Sequence, residues 1–362
     1  MTDNQTLPIR IATFKRCEQL LDFINAVRLY RLGIDDLRHI GIRATRVELK
    51  DNQTLSFDPV YFKPLEVGVL AKYPFSPCWR EYDLDEGYSY KSILARILHV
   101  TPEASNPQKL AQKKYEEVQK HERQYGSHRL PPWAVRDLEN HIHSHQRGYR
   151  SGIPGIGRMG TLEDLTPLYR NENAFENVPL SSRLMETDEP GATNWRFLYA
   201  LEEPFGTLPH TIAFFWNFER ADDETLTTSE VRGVLRWTVW MYHRYMFRNH
   251  SMFPCLSIWY LGPKHVRIIQ SHFDGETIVL QYSPLLSFEN RNTAPTELVV
   301  RYAASRPLTY GYYMQIKGTK GTGSSLEVIS VSTLSLSPFI SDEIERRWFV
   351  DQAQEYTPGS NI

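Results

Sequence analysis

Apolar residues recur at helical spacing in several stretches of the chain. Within residues 14–32, Leu20, Ile24 and Val27 fall on one face of a helix with 3.6 residues per turn. In a later stretch, Pro132 stands near the predicted start of a helix, where proline is tolerated. The pattern predicts helices over residues 14–32, 90–100, 109–124, 133–146 and 229–247.

Alternating apolar and polar residues predict strands elsewhere. In the second half, Gly262-Pro263 and Asp274-Gly275 mark turns, and Asp-Gly between alternating segments is a strong hairpin signal. Three successive strands are therefore expected there, after a helix whose cap is predicted at Ser229. The predicted strands are residues 42–49, 194–201, 211–218, 255–261, 265–273, 277–282, 298–302 and 326–336.

These elements predict an α+β or α/β fold with a mixed sheet and an aromatic-rich flanking helix in the C-terminal half. We divide the chain into an N-terminal α/β region at residues 1–105, a charged helical insertion and linker at 106–160, and a mixed-sheet α+β domain at 161–362. The glycine-rich run at residues 151–160 marks the main boundary, and residues 318–325 are predicted to be a loop.

The overall composition is that of an ordinary globular protein, with 41% hydrophobic and 23% charged residues. The formal net charge of −2 argues against a dedicated sequence-independent nucleic-acid binder, although it leaves room for a local basic surface. The N-terminal residues contain no signal-peptide core, and no apolar stretch is long enough to span a bilayer. We expect a cytoplasmic or nuclear protein that is neither secreted by a signal peptide nor membrane-spanning.

The three cysteines lie far apart, at Cys17, Cys78 and Cys255. Their spacing fits neither a CxxC pair nor a zinc site. Reduced thiols are the expectation for such a protein.

Asp36, Glu48 and Lys50 follow the Asp…Glu-x-Lys spacing of Mg²⁺-dependent nucleases. Two carboxylates hold a hard divalent cation through oxygen, and a nearby lysine orients or activates the attacking water. This nuclease hypothesis requires Mg²⁺, and no other cofactor is evident. The spacing is also common by chance, so an exposed charged strand is the competing interpretation.

A second placement uses the predicted strand 211–218, the following helix and the strand 255–261. This order resembles the latter part of the restriction-endonuclease-like, or PD-(D/E)XK, core. The resemblance implies that Glu219 takes the acidic position. Ala221 stands where the family has lysine, with Arg220 adjacent, so the resemblance also allows an inactive relative.

Residues 253–288 carry a different resemblance. Their central run, HVRIIQSHFDGETIVLQYSPLLSF, resembles part of an uncharacterised family of filamentous-fungal proteins. The resemblance implies no activity.

Histidines recur at every second position as His141, His143 and His145. On a helix, His141 and His145 share one face, and imidazole is a good ligand for Zn²⁺ or Cu²⁺. A third ligand would have to come from elsewhere, so a solvated helix face is the alternative.

The same segment is rich in basic and aromatic residues, which suit a surface that binds phosphate or a partner protein. Acidic residues partly offset its charge, so a helix exposed for solubility is the alternative. The candidate binding residues are Lys113, Lys114, Arg123, Trp133, Arg147 and Arg150.

The helix that ends near residue 247 is aromatic on nearly every face. Trp237 and Arg244 are candidates for a pocket or a partner groove, whereas a helix that is apolar all round is more often buried. The chain contains no P-loop, no GxGxxG after a strand, no HExxH and no GxSxG.

A non-enzymatic binding or regulatory protein therefore ranks first, and a metal-dependent nuclease or its inactive relative is the alternative. The binding hypothesis predicts a contiguous exposed aromatic or basic patch. A protein partner is expected, nucleic acid stays open as a ligand, and the sequence leaves the oligomeric state undetermined.

Overall fold

A computed structural model describes most of the chain up to residue 308. The strand predicted at residues 326–336 and the loop predicted at 318–325 lie outside the described residues, and so does Cys78. The described residues are 3–27, 29–50, 53–76, 90–100, 105–125, 132–153, 160–171, 195–262, 264–290 and 292–308.

The described elements follow the predicted order of helices and strands closely. The helices are α1 (Asp3–Ala26), α2 (Ile34–His39), α3 (Val69–Lys72), α4 (Tyr90–Val100), α5 (Pro107–Tyr125), α6 (Pro132–Arg147), α7 (Thr228–His243) and α8 (Thr296–Ala303), with 3₁₀ turns at Leu162–Leu165 and Tyr245–Phe247. The strands are β1 (Arg31–Leu32), β2 (Ile42–Arg46), β3 (Phe62–Lys63), β4 (Tyr169–Asn171), β5 (Trp195–Glu202), β6 (Thr211–Arg220), β7 (Leu226–Thr227), β8 (Cys255–Gly262), β9 (His265–Phe273), β10 (Ile278–Tyr282), β11 (Leu286–Ser287) and β12 (Arg306–Pro307).

An eight-stranded mixed sheet forms the centre of the fold. Its strand order is β2-β10-β9-β8-β6-β5-β4, with β11 paired to β9. The β2–β10 and β6–β8 pairs are parallel, and the other pairs are antiparallel. The predicted α+β class with a mixed sheet is confirmed.

Helices cover both faces of this sheet. The parallel strands β6 and β8 are connected through α7, which packs against α1 on one face. On the other face, α6 contacts β6, β8 and α8. Because β2 pairs with β10, residues from the predicted N-terminal region complete the sheet of the C-terminal half.

Aromatic rings fill the space between α7 and the sheet. Trp237 of α7 stacks on Phe197 with ring centroids 5.2 Å apart, and Phe215 stacks on Trp259 at 4.3 Å. Gly233 lies directly beside the Trp259 ring, where a β-carbon would overlap the indole. Of the two interpretations of this helix, the buried one is correct, because its aromatic side chains are almost fully excluded from solvent.

The start of α7 differs from the prediction. The N-cap is Thr227, two residues before Ser229, and its hydroxyl accepts a hydrogen bond from the Glu230 backbone N–H. The Glu230 carboxylate accepts the backbone N–H of Thr227 in return, at 2.8 Å. This reciprocal pair is a capping box, which satisfies two amides at the helix end.

The segment predicted as a strand at residues 298–302 is instead part of α8. Its apolar side chains Leu298, Val299 and Tyr302 are buried against the sheet, and Arg301 donates to the carbonyls of Leu65 and of Gln53. A short apolar run is compatible with either a strand or a helix, so its period alone did not decide between them.

The first helix differs from the prediction at both ends, because α1 spans Asp3–Ala26 instead of residues 14–32 and Arg31–Leu32 form β1. Among the described residues, no helix combines the length and the apolarity needed to cross a lipid bilayer.

Candidate functional site

The edge strand β4 separates two groups of side chains that are candidates for function. Arg170 points to the face covered by α6, where it contacts His143. Its neighbours along the strand are Tyr169, which is paired in register with Glu202, and Asn171, which donates to the Glu202 carboxylate at 2.7 Å. The alternation of a strand therefore divides a charged group from an aromatic one.

We define the charged cluster as Glu139, His143, Glu163 and Arg170. The Arg170 guanidinium donates to His143 Nε2 at 2.9 Å and lies 3.6 Å from the Glu163 carboxylate. His143 Nδ1 lies 3.8 Å from the Glu139 carboxylate. These four side chains come from α6, the 3₁₀ turn at Leu162–Leu165 and β4, so the cluster ties three elements together.

Burial sets the protonation states in the charged cluster. It raises the pKa of the Glu139 carboxyl and that of Glu163, against the opposing effect of the nearby Arg170 charge. Burial and the Arg170 charge lower the pKa of His143 to about 4. His143 is therefore neutral at pH 7, and its Nε2 accepts from Arg170, which places the proton on Nδ1.

Arg170 is also fixed from its other side. Its guanidinium carbon lies 3.4 Å from the centroid of the buried Tyr199 ring, a cation–π geometry. Arg170 is therefore held between α6 and the sheet by His143 and by the Tyr199 ring.

We define the aromatic patch as Tyr169, Phe205 and Tyr245. Their exposed fractions are 65%, 82% and 56%, which are large values for aromatic side chains. The Tyr169 position is opposite Glu202 in the sheet, and Glu202 binds Arg244, the residue before Tyr245. The three residues therefore occupy neighbouring positions at one end of the sheet.

The loop that presents Phe205 is held by specific hydrogen bonds. The Glu203 carboxylate accepts the backbone N–H groups of Phe205 at 3.1 Å and of Thr207 at 2.6 Å. Burial alone would raise the pKa of Glu203, but these hydrogen bonds lower it. Gly206 has a φ of +69°, a conformation that favours glycine.

The same loop is packed against the end of the α7 segment. A β-carbon on Gly206 would overlap the backbone carbonyl of Met246, so the two backbones are in direct contact. The His250 Nε2 lies 2.8 Å from the Gly206 carbonyl oxygen and must donate, because a carbonyl only accepts. Phe205 is thus exposed on a fixed backbone.

Arg10 of α1 fixes the segment that carries Tyr245. Its guanidinium donates to the carbonyl oxygens of Tyr242 at 2.5 Å, Phe247 at 2.7 Å and His250 at 2.7 Å. One buried side chain thereby ties the last turn of α7 to the 3₁₀ turn and to the residues that follow it.

The nuclease residues of the first placement lie around β2. Asp36 is exposed in α2 and accepts the Gly33 backbone N–H at 2.8 Å, as a local cap. Glu48 and Lys50 are exposed beyond the opposite end of β2. A groove of about 490 Å³ beside this strand is lined by residues of α2 and by residues 41–45, not by Asp36 or Glu48.

The second placement lies in another part of the sheet. Glu219 is buried near the end of β6, and its charge acts on the Arg232 guanidinium. Three strands separate β2 from β6, which corresponds to roughly 19 Å at the usual strand spacing. The structure therefore does not bring Glu48 and Glu219 into one site.

The histidine run is not a solvated face. His141 and His145 are buried, with ring centroids 4.9 Å apart, and His141 Nε2 lies 2.9 Å from the Thr296 hydroxyl. That alternative is wrong because this face of α6 packs against α8. Among the described residues, no group of three or more His, Cys, Asp or Glu side chains is arranged to hold a metal ion.

The predicted basic surface divides into exposed and buried members. Lys113, Lys114 and Arg123 are exposed on α5, and Arg147 is exposed on α6 near Glu163. The prediction that Arg150 belongs to a binding surface is wrong. Its side chain is buried and donates to the carbonyls of Tyr73 and of His145 (2.9 Å). The side chain of Trp133 lies outside the described residues.

The two candidates on α7 also have defined positions. Trp237 is buried, and its indole N–H donates to the Thr211 hydroxyl at 2.9 Å, which removes it from any surface groove. Arg244 is partly exposed at the end of the helix and donates to the Glu202 carboxylate at 2.8 Å.

Phe205 is the most exposed of the site residues that the sequence analysis did not identify. The run Glu203-Pro204-Phe205-Gly206 connects two predicted strands, and a phenylalanine in a polar turn has no core to enter. That local conflict was the available signal.

Comparison with known proteins adds no relative: no protein-family profile, curated protein or solved structure matches this chain.

Proposed function

We propose that the protein acts by binding another protein through the aromatic patch. The observation that carries the proposal is Phe205, which is 82% exposed although its loop is held in one conformation. The Phe205 side chain contributes little to the protein's own core, and hydrogen bonds to Glu203 fix the backbone that carries it.

The energetics of association favour this arrangement. Burying a phenylalanine side chain in a partner's pocket gains about 1.5–3 kcal/mol. Ordering a loop on binding would offset much of that gain. Here the hydrogen bonds of Glu203 and the contact with Met246 have already ordered the loop, so the cost on binding is small.

The composition of the patch also matches the residues that dominate protein interfaces. Tyrosine and arginine are enriched among residues whose truncation costs most binding energy, and aromatic residues are enriched at interfaces generally. Tyr169 and Tyr245 are exposed as Phe205 is, and Arg244, the residue before Tyr245, is held by Glu202, which is paired with Tyr169 in the sheet. The charged cluster on the other face of β4 supports the strand that carries Tyr169.

Site-specific photo-crosslinking tests the proposal. A benzophenone amino acid is placed at Phe205 and, as a matched control, at Tyr30, an exposed aromatic position. Tyr30 is bonded to the first residue of α7, so it lies about 24 Å from the patch along a helix of 16 residues. We expect a discrete adduct from position 205 that is absent from position 30.

The identified partner is then purified and titrated against Phe205→Ala and Tyr30→Ala. Phe205→Ala should weaken binding at least tenfold without lowering the melting temperature, whereas Tyr30→Ala should bind normally. Equal adducts from both positions, or unchanged affinity in Phe205→Ala, would refute the role of the patch.

A second proposal is the restriction-endonuclease-like class, most simply as an inactive relative. The parallel pair β6–β8 with α7 between them supports it, since this is the order on which the resemblance rests. The residues fit a Mg²⁺ site poorly, because Glu219 is buried beside a guanidinium and belongs to no described ligand group. No catalytic step is therefore assigned to it.

A further inference from the structure

One cation at the aromatic patch has no described counter-charge. Arg248 is partly exposed at the end of the 3₁₀ turn, and its guanidinium carbon lies 4.3 Å from the centroid of the Tyr245 ring. Within the described part of the chain, no carboxylate comes within ion-pair distance of this guanidinium. Arginine can lie over an aromatic ring and still offer the N–H groups of its planar fork to a carboxylate.

The other charges around the patch are already engaged. Arg244 is paired with Glu202, and Arg10 is taken up by three backbone carbonyls. The Glu203 carboxylate is occupied by backbone N–H groups. Among the described residues of this surface, three guanidinium groups stand against two carboxylates, and Arg248 is the guanidinium that forms no ion pair there.

We infer that the partner presents an acidic peptide segment, in which an aspartate or glutamate lies close to an apolar or aromatic side chain. The apolar side chain would pack against Phe205 and Tyr245, and the carboxylate would pair with Arg248. Arginine and carboxylate form two parallel hydrogen bonds in a planar fork, which fixes both distance and orientation. This inference rests on the proposed function and specifies its partner.

Single-stranded nucleic acid is the competing ligand, because bases stack on aromatic rings and phosphate pairs with arginine. Such binders combine aromatic platforms with a groove of several cations that follows the backbone. The patch offers one uncompensated cation, and the whole chain carries a formal charge of −2. The observations favour the peptide.

A random peptide library displayed on phage tests the chemistry directly. The full chain is the bait, with the Phe205→Ala, Arg248→Ala and Arg248→Glu variants in parallel. Arg38→Ala is the matched control, since Arg38 is an exposed arginine of α2, which packs against β2 at the opposite edge of the sheet from β4. We expect enriched sequences with Asp or Glu within about three residues of an aromatic or aliphatic residue.

A synthetic peptide from the enriched set then gives the quantitative result. Arg248→Ala should weaken its binding at least tenfold, Arg38→Ala should not change it, and rising salt should weaken binding to the unmodified protein more than to Arg248→Ala. Arg248→Glu should prefer the peptide in which lysine replaces the acidic residue. Melting temperatures of all variants confirm that they are folded.

The outcomes separate this inference from the proposed function. Peptides that need Phe205 but lack acidic residues and bind Arg248→Ala normally would overturn the acidic class and leave the patch as a binding surface. Failure to enrich any peptide that needs Phe205 would overturn both. Binding of a fluorescent single-stranded oligonucleotide that is lost in Phe205→Ala and in Arg248→Ala would assign the patch to nucleic acid instead.

Discussion

Replacing Glu230 should lower the free energy of unfolding by about 3–5 kcal/mol, because it leaves a buried guanidinium without its counter-charge. Both side chains of the Glu230–Arg267 pair are fully buried. Arg267 donates to the two carboxylate oxygens at 3.1 and 3.0 Å and to the carbonyls of Thr225 (3.0 Å) and of Asp222. Glu230→Met therefore removes the charge partner but keeps the volume.

A double-mutant cycle isolates the interaction itself. Arg267→Met should cost about as much as Glu230→Met, since each strands one buried charge. The double variant strands neither, so its loss should fall about 2–3 kcal/mol short of the sum of the two single losses. Urea unfolding followed by tryptophan fluorescence measures all four proteins, and Asp35→Ala, which removes an exposed ion pair with Arg38, serves as the control with an unchanged midpoint.

Additive losses would refute this reasoning. If the double variant lost as much as the two single variants together, the carboxylate and the guanidinium would not be interacting in the folded protein. Glu230 would then contribute to stability through its capping box with Thr227 alone.

Three further predictions follow from the structure. Incubation with single- and double-stranded DNA and RNA and Mg²⁺ should show no cleavage that EDTA abolishes; EDTA-sensitive cleavage that is lost in Glu219→Gln would establish the nuclease instead. Burial lowers the pKa of His272 from 6.5 to about 4. Between these pH values the imidazole is protonated in the unfolded chain but not in the folded one, so the free energy of unfolding should fall as pH drops from about 6.5 to 4. His272→Phe should flatten that fall in urea midpoints, and an NMR titration midpoint near 6.5 would contradict the assignment. Gly233→Ala should cost about 1–3 kcal/mol by overpacking. In thermal unfolding, Trp259→Phe should lower the melting temperature less in the Gly233→Ala background than in the unmodified protein, because the smaller ring leaves room for the added methyl group.

Local signals explain which elements were predictable. The strands β8, β9 and β10 are separated by Gly262-Pro263 and Asp274-Gly275, and each lies within a residue or so of its predicted bounds. The strand predicted at residues 298–302 was wrong because the consecutive apolar residues of α8 have no clear helical or strand period. The predicted N-cap of α7, Ser229, was wrong because Thr227 is followed three positions later by Glu230. That spacing forms a capping box, which makes Thr227 the stronger cap.

The candidate site was less predictable, because its parts meet only in three dimensions. Glu139 and His143 share a helix face at a spacing of four, a pattern visible in the sequence. Nothing local indicated that Arg170 would lie between them and Glu163. The pairing of Tyr169 with Glu202, and of Glu202 with Arg244, likewise depends on the path of the chain between β4 and α7.

The parallel pairing of β2 with β10 has a consequence for biosynthesis. Ile42 pairs with Ile278, so 236 residues must be translated after β2 before its partner exists. At ordinary rates of synthesis this takes about 12–47 s. During that interval the backbone N–H and C=O groups of β2 that pair with β10 in the finished sheet have no partner strand. The nascent chain on the ribosome therefore carries β2 without its partner strand, and such an unpaired strand is a site to which a chaperone can bind.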